Sequence, residues 1–140
     1  MNAAVRQRWL WPALSVGVLY LLAGIVFGAL ASGTATHRVV VTWRLAAWLA
    51  SAVAFAAHIW YEHARLRTSP ARTALHVASA VAVGAFGLAA AANVHGHMIG
   101  AAPRPLLLVA LVAWPALAGV PAFLVAWAAA GVLQRIPRRA

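Results

Sequence analysis

Of 140 residues, 65% are hydrophobic, and the only formally charged side chains are eleven arginines and one glutamate, giving a net charge of +10. Soluble domains are about 45–50% apolar, so an ordinary soluble fold is excluded; with neither Cys nor Lys in the chain, so are thiol redox chemistry and a lysine Schiff base. The excess positive charge does not indicate nucleic acid either, because the arginines stand between apolar stretches, where topology signals and lipid headgroup contacts belong.

Residues 9–36, 45–61, 73–103 and 105–134 contain no Arg, Lys, Asp or Glu. A helix needs roughly 20 apolar residues to cross a hydrocarbon core of about 30 Å, with about 17 as the lower limit. The expected fold is therefore an all-α integral membrane protein: one domain over 1–140, a bundle of four transmembrane helices near 9–31, 43–63, 71–94 and 105–133.

The first helix opens with Pro12 in its first turn, where a missing N–H costs little. Arg6 and Arg8 before it, and Ala29-Leu30-Ala31 near its end, imitate a secretory signal. The apolar run from Leu10 to Leu30 exceeds the usual signal core of about 7–15 residues, so this helix reads as a retained span. Gly24 and Gly28 form a small-xxx-small pair aligned with Gly17. Such faces let membrane helices approach closely, within one chain or between chains.

Helix 2 carries the one acid. At 100° per residue, Ser51, His58, Glu62 and Arg65 share a face, and His58 and Glu62 are an i, i+4 pair. After a short loop, Ser69-Pro70 reads as a cap followed by proline at the first position of helix 3. Arg72, His76 and Ser79 share a face of that helix with Gly87, and Ala80, Gly84 and Ala91 lie near it. The short loop makes helices 2 and 3 antiparallel neighbours, with His58 and His76 at similar depth. Beyond helix 3, Asn93 reads as an end cap, and His95 and His97 as loop residues that are weak metal candidates, with His37 in the first outer loop. Helix 4 contains Pro115 and Pro121, where a kink is expected.

The cluster of His58, Glu62, His76, Arg65 and Arg72 admits four readings. Glu62 pairs with Arg65 or Arg72 in a structural ion pair. His58 and His76 ligate a b-type haem, with Ala54, Ala57, Ala80 and Gly84 making room. His58, Glu62 and His76, with or without His63, hold a metal. Or Glu62 and His58 move protons or ions, a path for which helix 1 offers only Ser15 and Tyr20. Hydrolytic catalysis is unsupported: there is no Asp for a triad, no second acid, and no Lys for a phosphate loop.

Arg6, Arg8, Arg65, Arg67, Arg72, Arg135, Arg138 and Arg139 fall on one side of the bundle; Arg38, Arg44 and Arg104 fall on the other. The positive-inside rule then puts both termini in the cytoplasm, in a bacterial inner membrane. Trp9, Trp11, Trp43, Trp60 and Tyr61 lie near the span ends, as an aromatic belt does. The preferred expectation is a small non-catalytic subunit or scaffold, in contact with lipid and packed in a homo-oligomer or larger membrane complex, with Gly17, Gly24, Gly28, Gly84 and Gly87 as packing positions and no nucleic-acid partner. The alternative is a cofactor-binding or proton-handling protein built on His58, Glu62 and His76.

Overall fold

The structure, a computed structural model, describes residues 3–33, 36–99 and 105–135, with side chains from Trp9 onward. It contains four helices: α1 (Ala3–Ser32), α2 (His37–Tyr61), α3 (Pro70–Met98) and α4 (Pro105–Arg135). A single π-helical turn, Glu62–Leu66, continues the end of α2. All four helices are long and apolar enough to cross a membrane. The side chains of Arg6, Arg8, Arg104, Arg138 and Arg139, on which the expected sidedness partly rests, lie outside the described residues.

The helices overrun the bounds read from charge. The second begins at His37 rather than near Trp43, so Arg38 and Arg44 are helical and exposed. The physical reason is that backbone hydrogen bonding continues past the point where apolar side chains end; an exposed arginine is a good helix former. Thr36 starts α2, its carbonyl accepting from the N–H groups of Val39 and Val40. Pro70 occupies the first turn of α3 as expected, and the Ser69 backbone carbonyl, not its hydroxyl, takes the N–H of Thr73. Pro115 and Pro121 both lie inside α4, which runs unbroken as one helix.

Contacts define the topology. Trp9 stacks on His76, Gly17 meets Ala80 and Val83, Tyr20 meets Gly84, and Gly24 meets Leu88, so residue numbers rise together and α1 runs parallel to α3. Gly119 meets Ala78 and Ala82 while Leu107 meets Gly96, so α4 is antiparallel to α3. Phe27 lies against Trp43, which pairs α1 with α2 in antiparallel sense. The spatial order is therefore α2–α1–α3–α4, with α3 the most enclosed helix. This corrects the expectation of α2 and α3 as side-by-side neighbours. The two meet at the end where the chain turns between them, through Ile59, Glu62 and His76, and elsewhere face each other across an open cavity.

Glycine explains why α1 occupies that place. A Cβ on Gly84 would stand 2.6 Å from Tyr20 Cβ and 3.0 Å from the Gly17 carbonyl oxygen. One on Gly17 would stand 3.0 Å from the Ala80 carbonyl oxygen. Bare backbones thus touch at this crossing, which maximises dispersion contact where no hydrophobic drive exists. Gly24 and Gly87 face leucine side chains of the opposite helix, and Gly28 has no neighbour within 4 Å. The small-residue face is used inside the chain, by Gly17 and Gly24 but not by Gly28.

Two further devices hold α3. The Asn93 side-chain amide donates to the carbonyls of Ala89 and Leu107, both at 2.8 Å, so this residue clamps α3 to α4 rather than capping a helix. At the other end Ile59, Ala74, Val77 and Ala126 form a small apolar core joining α2, α3 and α4.

Gly84→Ala should lower the unfolding free energy in mixed micelles by about 1–3 kcal/mol through overpacking against Tyr20 and Gly17, although alanine has the higher helix propensity. Gly28→Ala should leave it unchanged or slightly raised. Equal behaviour of the two variants would refute the α1–α3 backbone contact.

Candidate functional site

The polar cluster lies at the end of the bundle where α2 turns into α3. Its geometry begins with the π turn. An i→i+5 turn is wider than an α turn, and it is followed by Arg67 in the left-handed region at φ 50°. Together these reverse the chain within a few residues and return Thr68 to the Glu62 side chain. Glu62 itself is fully buried, with 0% of its surface exposed.

Both carboxylate oxygens are bound. The Thr68 hydroxyl donates to Oε2 at 2.9 Å, and Nδ1 of His76 lies 3.0 Å from Oε1. Thr68 and Thr73 hydroxyls are 2.7 Å apart. Because Thr68 has one proton and gives it to Glu62, Thr73 must donate in that pair. With Glu62 ionised, His76 must carry its proton on Nδ1. The result is a directed chain from Thr73 through Thr68 to Glu62, met from the other side by His76. One face of the His76 ring is covered by Trp9, whose ring lies parallel at a centroid distance of 4.3 Å and an interplanar angle of 3°.

His58 is the exception. Its side chain is 1% exposed and its Nε2 stands 3.8 Å from Glu62 Oε1, within ion-pair range but beyond a hydrogen bond. Neither ring nitrogen has a hydrogen-bond partner. A group of this kind calls for an explanation, because burial without a partner is costly.

The structure therefore brings His58, Glu62 and His76 together and leaves Arg65 and Arg72 outside. Both arginines are exposed, and the ion pairs of Glu62 among the described residues are with the two histidines. The expected Glu62–arginine pair is replaced for a geometric reason. The π turn breaks the i, i+3 alignment that would put Arg65 beside Glu62 in an α-helix, and both carboxylate oxygens are already taken by Thr68 and His76. Ser79 donates to the Leu75 carbonyl and takes no part. His63, half-buried, packs near Trp60 instead.

The donor set does not fit a haem. An axial pair needs a ring-sized slot between the imidazoles, and here the Glu62 carboxylate stands there, in contact with His76. It does not fit a metal either: the direct Glu62–His76 bond leaves no space for an ion between them, and among the described residues no three His, Cys, Asp or Glu side chains are grouped to hold one. His95 and His97 lie in the last turn of α3, both exposed, and are not loop residues. Side chains at i, i+2 on a helix do not face each other, so the pair has no chelating geometry. His37 is the first residue of α2, not a loop residue.

Sequence reasoning missed Thr68, Thr73 and Trp9. The two threonines were visible as the only hydroxyls between Glu62 and His76 apart from Ser69. Nothing in the sequence marks Trp9 as a partner of His76, since that contact depends on the parallel run of α1 and α3. No protein-family model, curated protein or solved structure matches the chain.

Glu62→Ala strips the acceptor from both His76 and Thr68, at about 1–3 kcal/mol for each buried donor left unsatisfied. It should therefore destabilise the chain by at least about 2 kcal/mol in a detergent unfolding titration. Glu62→Gln should cost much less, because Thr68 can accept from the new amide and donate to Thr73. If the two variants unfold alike, the directed network is not what holds α2 to α3.

Proposed function

We propose that the chain is a small, non-catalytic integral membrane protein, a subunit or scaffold within a larger membrane assembly, whose buried carboxylate network docks α2 onto α3. The observation that supports this best is how completely the network is closed. Both oxygens of the one acid are occupied by neighbours in the chain, so the carboxylate is engaged in holding the fold, and the one unpartnered base beside it is the His58 imidazole. Large apolar side chains also cover the outer faces of all four helices; Leu106 is 80% exposed, Val112 77% and Trp48 76%. An apolar surface of that extent suits lipid or a membrane partner. Because Gly17, Gly24, Gly84 and Gly87 are spent inside the bundle, a partner would meet these larger side chains and not a glycine face. Both termini are taken as cytoplasmic, on the arginine asymmetry.

The test is direct. The chain should float with vesicles after alkaline carbonate washing, and in gentle detergent it should run as an oligomer or co-isolate with a partner. A monodisperse monomer that brings nothing with it contradicts the subunit reading, while failure to float contradicts the membrane reading itself.

A second reading, proton handling, is favoured by His58. An imidazole with both nitrogens free at 3.8 Å from a carboxylate needs only a small side-chain rotation to accept a proton and pair with Glu62. In proteoliposomes carrying an internal pH dye, an imposed proton gradient should collapse faster with the native chain than with His58→Ala. Equal decay in both rejects this reading.

A further inference from the structure

At the opposite end of the bundle from Glu62, α1 and α2 part around a crevice of about 360 Å³. Phe27, Gly28 and Ala31 of α1 and Val40, Ala47 and Trp48 of α2 form its apolar walls. Gly28 marks the opening: a Cβ there would meet nothing within 4 Å, so no other helix of the chain fills the place. The crevice also carries a charge, because Arg44 lines it and is exposed.

Arg44 is set below the rim. Its neighbour Trp43 lies against Phe27, more than a turn inside the end of α1 at Ser32. Side chains lean toward the N-terminus of their own helix, which for α2 is the outer end, so the arginine stem rises along the crevice toward the headgroup level. A cation at a membrane span needs an anion or water. The chain has one acidic side chain, Glu62, which is buried at the far end and engaged by Thr68 and His76. Among the described residues, the ion pairs are those of Glu62 with His58 and His76. No acidic side chain of the protein therefore answers Arg44. A free phosphate would leave the apolar walls uncovered, and an uncharged acyl chain would leave the arginine without a counterion. An anionic amphiphile supplies both halves.

We propose that this crevice binds an anionic phospholipid, its acyl chain lying over Gly28 against Phe27 and Trp48 and its phosphate held by Arg44. The guanidinium fork matches phosphate oxygens in pairs. The inference rests on the integral-membrane reading above, since only a membrane brings such a lipid to the crevice; it does not depend on the subunit role.

The experiment is native mass spectrometry of the full chain in detergent with equal amounts of dioleoyl phosphatidylglycerol and dioleoyl phosphatidylcholine. The native chain should retain phosphatidylglycerol about fivefold over phosphatidylcholine, the effect of roughly one arginine at an anionic surface. Arg44→Gln should lose that preference. Arg38→Gln, exposed at the same end of α2 but not lining the crevice, should keep it. Gly28→Leu, whose side chain grows into open space, should retain less of either lipid. Equal retention of the two lipids by the native chain overturns the proposal. So does a preference that survives Arg44→Gln, one lost equally in Arg38→Gln, or a Gly28→Leu chain that binds like the native one. Flotation of the same preparations separates the two readings: a chain that floats without lipid preference refutes the site and leaves the membrane reading standing. The two arginine variants decide the matter even if Gly28→Leu fails to fold.

Discussion

A carboxylate taken out of water has to be bound on both oxygens or protonated, because the cost of burying it bare is several kcal/mol. Glu62 is the chain's only acid, and it is fully buried. The turn after α2 is shaped around that demand. The π turn, the left-handed Arg67 and the return of Thr68 all serve to close on the carboxylate, while His76 reaches it from α3. Since α2 has little other contact with α3, its placement against α3 hangs on this end, while α1 holds the rest of its length. The cavity above it is the complement of the same arrangement: α2 lies against α1 but reaches α3 and α4 with few contacts, and the space left is lined by residues of all four helices.

The polar economy of the chain is consistent with this. Among the described residues, the buried side-chain nitrogen or oxygen atoms without a hydrogen-bond partner are the two ring nitrogens of His58 and the hydroxyl of Tyr20. One stands beside the carboxylate network and the other is on α1, in the residue that meets Gly84 of α3. A fold that satisfies its carboxylate from two side chains, backs one of them with Thr73 and uses Asn93 to bridge two carbonyls, yet leaves these groups idle, concentrates its unmet bonding capacity in two places. The first of them is the place from which the proton-handling reading is drawn.

Much of the architecture could be read from the arrangement of arginines alone, since four uninterrupted apolar runs admit only four long helices. Helix limits could not, because Arg38 and Arg44 extend a helix as readily as they end a membrane span. The meeting of Glu62 with both histidines was legible, as His58 is its i, i+4 neighbour and His76 stands at matching depth across a short turn. Its donors were not: an α-helical wheel aims Arg65 at Glu62, and only the π turn, which no residue pattern announces, substitutes Thr68. The pairing of helices was the largest departure. Chain proximity argues for α2 beside α3, whereas the bare backbones at Gly17 and Gly84 make α1 the better neighbour of α3, and a glycine pair says nothing in advance about which helix it will meet.

The parallel run of α1 and α3 has a consequence for assembly. Two parallel helices cannot form a hairpin; the chain must go out along α1 and come back along α2 before α3 can lie down beside α1. Synthesis proceeds from the N-terminus, so the glycine face of α1 waits uncovered until the third helix arrives, and the backbone contact of Gly17 with Gly84 is one of long sequence separation. Helix α4, antiparallel to α3 and joined to it by a short connection, can then pair as a local hairpin. The order of emergence thus places the bare-backbone contact of α1 with α3 after the first hairpin, and a translational pause after α2 would hold the chain as a single open hairpin with the glycines of α1 still uncovered.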